Sequence, residues 1–244
     1  MNIAAFLLTT LAGLSTLLGT IPILIKQNKN IIISSLSFAA GVMLTVSIID
    51  LIPEGINYLN NIYKPFPTIL ILSIFITLGI IISMTIDNYL NNREGELYKI
   101  GIISMLAIIL HNIPEGIATY LSTESNFKLG LSLAIAIALH NIPEGISIAL
   151  PIYYGLKSRG KALIYTLFSA LSEPLGALLA YLFLSKIITN NIMGILMGLI
   201  AGIMIQISIY ELLPTSLKLK NKKLTILSFI LGILFRITNH ILLK

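Results

Sequence analysis

The chain has 244 residues, 56% of them hydrophobic and 11% charged, and its mean hydropathy is +0.95. An ordinary soluble domain carries roughly 25% charged residues, so the composition excludes one and points to an integral membrane protein. The net charge of +6 comes from basic residues scattered through short loops, which membrane topology explains and a nucleic-acid partner does not. The absence of cysteine removes disulfides and thiolate metal ligands together, so any metal site must use nitrogen and oxygen.

Eight apolar runs follow one another at about 3–25, 31–52, 66–86, 100–121, 129–152, 162–185, 190–213 and 224–243. Each is near the ~20 residues that cross a bilayer as a helix. The expected fold is therefore all-α, eight transmembrane helices in one transmembrane domain over 1–244, with the lipid bilayer as its surroundings. The first run has no Lys or Arg before it and is longer than a signal-peptide core, so it reads as a retained helix.

The loops after helices 1, 3, 5 and 7 hold eleven basic residues: Lys26, Lys29, Arg93, Lys99, Lys157, Arg159, Lys161, Lys218, Lys220, Lys222 and Lys223. The other loops and the termini hold four, Lys64, Lys128, Lys186 and Lys244, and Arg236 lies within helix 8. By the positive-inside rule the odd-numbered loops are cytoplasmic and both termini are outside.

Residues 37–55, SFAAGVMLTVSIIDLIPEG, align without gaps on residues 198–216, GLIAGIMIQISIYELLPTS. Helix 2 then runs outward and helix 7 inward, so the copies are inverted, the pattern of transporters built from inverted repeats. Asp50 and Glu54 fall near the outer mouth and Glu211 near the cytoplasmic one; each is either a stop on an ion path or a cap at a helix end.

Helices 4 and 5 each carry HNIPEGI, at 111–117 and 140–146. Within a copy, His and Glu are four residues apart and stack on one helical face, with the Asn about 100° around. Pro114 cannot donate to the carbonyl of Leu110, nor Pro143 to that of Leu139, so each helix is expected to be broken there and to line a polar site. The first copy rises and the second descends, so the motifs are antiparallel and both lie near the middle of the bilayer.

Six of the ten acids, Asp50, Glu54, Glu115, Glu144, Glu173 and Glu211, lie in or at the ends of apolar runs. A central carboxylate costs on the order of 3 kcal/mol even on the milder insertion scale. One Arg cannot neutralise glutamates on helices 4, 5 and 6, so they are protonated or share an exogenous cation. His111 and His140 beside them favour a transition metal, since imidazole with carboxylate suits Zn²⁺, Fe²⁺, Mn²⁺ or Co²⁺. Two ions bridged by Glu115 and Glu144 are chemically reasonable, with Glu173 in SEPLGA supplying a further oxygen. His240 reads as an ordinary hydrogen-bond partner, and Arg236 as a packing or snorkelling residue.

HNIPEG on helices 4 and 5 together with SEPLGA on helix 6 resembles the ZIP family of metal transporters, in particular its ZupT-like bacterial branch. The resemblance runs over essentially the whole chain, including the DLIPEG ending of helix 2. It implies a ZIP-type inverted-repeat bundle in the cell membrane that takes up Zn²⁺, with Fe²⁺, Mn²⁺ and Co²⁺ as further substrates, and no prosthetic group. It also implies that His111, Glu115, His140 and Glu144 hold one ion of a binuclear centre, and that Asn112, Glu115, Asn141, Glu144 and Glu173 hold the other. Helices 1, 4, 5 and 6 would move as a unit against helices 2, 3, 7 and 8. Homodimers are usual in the family, although nothing in the sequence marks an interface. Two departures stand out: the loop between helices 3 and 4 lacks the His-rich tract of many relatives, and Asn141 with Glu144 on helix 5 leaves selectivity wide.

Two other readings use the same residues. An intramembrane metal-dependent hydrolase would also need His and Glu, but HExxH is absent and the inverted repeat has no role in it. A proton-coupled carrier of a small solute could use the glutamates without a metal.

Overall fold

The computed structural model describes residues 2–25, 28–90, 96–183 and 189–243; Lys26, Arg93, Lys186 and Lys244, which enter the loop-charge argument, lie outside them. Among the described residues, eight helices are long and apolar enough to cross a membrane, and there is no strand. They are α1 (Ile3–Leu24), α2 (Lys29–Asn60), α3 (Pro65–Ile86), α4 (Leu97–Ser125), α5 (Phe127–Leu156), α6 (Arg159–Leu182), α7 (Asn190–Lys218) and α8 (Lys222–Leu242). Most outrun the apolar segments, because hydropathy registers only the lipid-facing middle of a helix whose polar turns continue beyond it.

Side-chain caps set the starts. Asn2, Asn28, Asn126, Ser158, Thr189 and Asn221 each accept a backbone N–H from the first turn that follows, satisfying donors that a helix leaves unpaired. Asn126 alone separates α4 from α5, so the two motif-bearing helices form a tight antiparallel hairpin.

The expected breaks at Pro114 and Pro143 do not occur: both prolines lie inside continuous α-helix. Each removes one backbone donor, but the helix continues through it, closely packed on both sides of the motif. Gly116 meets the backbone of Glu173 on α6, and Gly145 meets the backbone of Thr16 on α1. The irregular turns fall elsewhere. α1 tightens to a 3₁₀ segment at Ser15–Thr20, α6 has a turn at Leu171 just before Ser172–Phe183, and α2 and α7 contain π-helical turns at Ser47–Leu51 and Ile207–Leu212.

The two π turns occupy matching places in the inverted repeat, each ending two residues before the proline of the acid-Leu-x-Pro ending, Pro53 or Pro214. A proline ring collides with the carbonyl four residues earlier, and a widened turn relieves that collision. The equivalence extends to the partner helices. Gly41 of α2 packs on the Phe229 carbonyl of α8, and Gly232 of α8 packs on the Phe38 carbonyl of α2. In the same register, Gly202 of α7 packs on the Ile76 carbonyl of α3, and Gly79 of α3 on the Leu199 carbonyl of α7. Small residues that let helix backbones touch are the common means of association in lipid.

Contacts group the helices around two features. α1, α4, α5 and α6 cross closely around the HNIPEG motifs, while α2 pairs with α8 and α3 with α7. The main apolar core lies between the N-terminal half of α4 and the C-terminal half of α5, where Ile100, Ile103, Ile108, Ile148, Leu150 and Ile152 are buried against α2 and α7. At the other end, the C-terminal halves of α2, α4 and α8 and the N-terminal half of α5 leave a cavity of about 240 Å³.

Candidate metal centre

The hairpin of α4 and α5 brings the two motifs face to face. His111 Nε2 lies 3.2 Å from Glu115 Oε1 one helical turn on, and 3.6 Å from Glu144 Oε1 across the interface. His140 Nε2 lies 3.1 Å from the same Glu115 oxygen. One donor atom from each of His111, His140 and Glu144 falls within 4.8 Å of the others, and all three side chains are buried. Donors bound at ~2.05 Å to a tetrahedral Zn²⁺ stand about 3.3 Å apart. The observed separations bracket that spacing.

Glu173 enters from α6. Its Oε1 accepts a hydrogen bond from Asn141 Nδ2, which also donates to the Ala12 carbonyl of α1 at 3.0 Å. Glu173 thus touches both motifs, the second through Asn141 and the first where its backbone meets Gly116. Asn112 is fully buried, and both of its amide atoms lack a partner.

The site is short of hydrogen bonds throughout. Among the described residues, buried side-chain atoms without a well-formed hydrogen bond include both ring nitrogens of His111, both Glu144 oxygens, Glu115 Oε2, His140 Nδ1, Asn141 Oδ1 and Glu173 Oε2. Leaving one buried polar group unsatisfied costs about 1–3 kcal/mol. A cluster of them, supplied by imidazole, carboxylate and amide, is a donor set suited to a divalent cation.

Glu115 and His140 connect this cluster to the 240 Å³ cavity, whose wall also includes Asp50, Glu54, Arg236, Asn239 and His240. A second cavity of about 220 Å³ touches Glu54 and Glu115 from the side of Tyr58, Met193 and Met197. Glu54 is exposed to both. Glu211, at the other end of the inverted repeat, accepts from Gln206 Nε2 at 3.3 Å, and Gln206 in turn accepts from Ser83 of α3 at 2.6 Å.

Of the two sequence readings of Arg236, packing and snorkelling, the structure departs from the second. Arg236 does not snorkel: it is 5% exposed and pairs with Asp50, with Nη2 2.7 Å and Nε 2.9 Å from Oδ2. His240 completes the group at 2.9 Å from Asp50 Oδ1, in keeping with its reading as a hydrogen-bond partner. Arg236 and His240 are four residues apart on α8 and so share a face; that spacing was the signal for a common acid on a neighbouring helix.

Residues 91–237 match the family described as ZIP Zinc transporter. The chain is 37% identical to the zinc transporter ZupT of Clostridium perfringens, over 93% of this chain and 92% of that protein. It is 39% identical to the zinc transporter ZupT of Chlorobium luteolum, over 94% of each, and 36% identical to that of Oceanobacillus iheyensis, over 98% and 97%. With the helical bundle and the paired motifs, these similarities place the chain in the ZIP zinc transporter family.

Proposed function

We propose that the protein carries Zn²⁺ into the cytoplasm across the cell membrane, with Fe²⁺, Mn²⁺ and Co²⁺ as further substrates, through a binuclear site on α4, α5 and α6. The observation that carries this reading is the coincidence of coordination spacing with unsatisfied donors at His111, Glu115, His140 and Glu144. These four would hold one ion; Asn112, Asn141 and Glu173, with the same two bridging glutamates, would hold the other. No prosthetic group takes part. Nitrogen and oxygen ligands without thiolate favour exchange over trapping.

The loop charges favour termini outside; in that orientation the 240 Å³ cavity would open outward and the apolar core between α4 and α5 would close the inward path. An ion entering past Glu54 and Asp50 would exchange water for His, Asn and Glu ligands. Rocking of α1, α4, α5 and α6 against the other four helices would then open the way toward Glu211 by alternating access. The outer faces of α3 and α8, the least covered spans, meet lipid, and a homodimer would form on such a face.

Membership in a transporter family sets the chain apart from the hydrolase reading. The solute-carrier reading gives no role to the imidazoles of His111 and His140, whose spacing the metal reading explains. The test is ion influx into liposomes containing the purified chain, with Zn²⁺ followed by an internal dye and Fe²⁺, Mn²⁺ and Co²⁺ as competitors. Saturable Zn²⁺ influx reduced by the competitors supports the proposal; no influx of any of the four ions contradicts it.

A further inference from the structure

The wall of the outer cavity contains a cation that belongs to the protein. Among the described residues, Arg236 is the one Lys or Arg in that lining, and it stands among Asp50, Glu54, Glu115 and the imidazoles of His140 and His240. Its Nε and Nη2 both face Asp50 Oδ2, while His240 occupies Oδ1, so both oxygens of this carboxylate are engaged. Without Arg236, Asp50 Oδ2 would be open, and an ion passing from Glu54 to Glu115 would meet a third carboxylate with no cation of the protein on it.

A role as a simple brace between α2 and α8 is poorly supported. Those helices are already locked by the reciprocal Gly41–Phe229 and Gly232–Phe38 crossings, and by the Phe38 and Phe235 rings at 5.4 Å. The inverted repeat offers an internal comparison as well. Ser83 of α3 occupies the place of Arg236, four residues beyond Gly79 as Arg236 is beyond Gly232, and Glu211 occupies the place of Asp50. There Gln206 lies between the two, donating to Glu211 and accepting from Ser83. The matching crossing is thus built with a serine at this position, and the arginine stands in the copy that borders the cavity.

From this, and resting on the transport reading above, we infer that Arg236 is a tethered counter-cation. It holds Asp50 out of metal coordination and thereby sets how strongly the outer cavity retains an incoming divalent ion. With the pair intact, the ion is attracted by Glu54 and Glu115 and passes on to the His–Glu cluster. An Asp50 whose Oδ2 is released from Arg236 would hold the ion early, giving tighter apparent binding and slower passage. An Arg236 deprived of Asp50 would repel the ion.

The two single variants therefore move KM in opposite directions, which loss of a brace does not do. The experiment is Zn²⁺ influx into liposomes for the wild type, Arg236→Gln, Arg236→Lys, Asp50→Asn and the double variant Asp50→Asn/Arg236→Gln. Arg236→Gln lowers KM by about fivefold to tenfold and lowers the maximal rate, while Asp50→Asn raises KM by a similar factor. Arg236→Lys and the double variant move KM back toward the wild-type value. Shifts of the same sign in both single variants, or an unchanged KM in both, overturn the inference. If Arg236→Gln does not reach the membrane, Asp50→Asn decides: a raised KM supports the inference and a lowered or unchanged KM overturns it. Absence of influx in the wild type would instead overturn the transport reading on which this one rests.

Discussion

Gly116 of α4 and Glu173 of α6 meet backbone to backbone: a Cβ on Gly116 would overlap the Glu173 carbonyl oxygen, and Gly176 meets the Ile113 carbonyl reciprocally. The crossing that seats α6 against the first HNIPEG motif is the same one that delivers the Glu173 carboxylate. Gly116→Ala should therefore push α6 outward, costing about 1–3 kcal/mol as an overpacking change and carrying Glu173 away from its neighbours. Thermal unfolding in detergent and Zn²⁺ influx should both fall. Gly160→Ala, at a position with nothing within 4 Å of the added carbon, should change neither.

The unpaired donors around Glu144 predict a conflict between stability and binding. Without metal, Glu144→Gln removes a buried charge at no loss of volume and should unfold at an equal or higher temperature than the wild type. With Zn²⁺ at a hundred times its dissociation constant, the wild type should gain about 2.7 kcal/mol by linkage, while the variant gains little. Paired melts with and without Zn²⁺ read both effects. A variant as strongly stabilised by Zn²⁺ as the wild type would remove Glu144 from the site.

Much of this architecture could be read from the sequence because membranes impose simple rules. Eight apolar runs became eight helices, and a four-residue spacing put His111 with Glu115, and His140 with Glu144, on facing surfaces. The aligned endings of helices 2 and 7 even foreshadowed a shared geometry, seen as π turns before Pro53 and Pro214. The prolines of HNIPEG misled, because local chemistry weakens a helix there while glycine crossings, which depend on tertiary partners, keep it whole. The pairing of Asp50 with Arg236 was hidden for a similar reason, since it joins residues 186 positions apart. The kinship of α3 with α8 emerged only once Gly79 and Gly232 were seen against equivalent carbonyls.

Asn141 holds two elements at once, the Glu173 carboxylate and the Ala12 carbonyl. Asn141→Ala should loosen Glu173 while sparing the His111, Glu115, His140 and Glu144 cluster. The expected outcome is retention of one ion and loss of the other, measured as bound zinc per chain by elemental analysis after equilibrium dialysis. Loss of all bound zinc would show that the two sets of ligands do not act separately.

The quasi-equivalent crossings predict matched energetics. Gly41→Ala and Gly202→Ala each force a methyl group against a backbone carbonyl of the partner helix. Each should destabilise by about 1–3 kcal/mol, and the double variant by roughly the sum, since distant sites without shared partners are additive. Chemical unfolding in mixed micelles measures all three. A large penalty at one crossing with none at the other would contradict the equivalence.

The central claim is that His111 and His140 together ligate the transported ion. X-ray absorption at the zinc edge of the loaded protein tests it most directly. The account predicts a nitrogen and oxygen shell at about 2.0–2.1 Å with the outer-shell pattern of imidazole, lost in His111→Ala/His140→Ala even though the variant remains folded in the membrane. An imidazole pattern that persists in the double variant, or a wild-type spectrum with none, would contradict it.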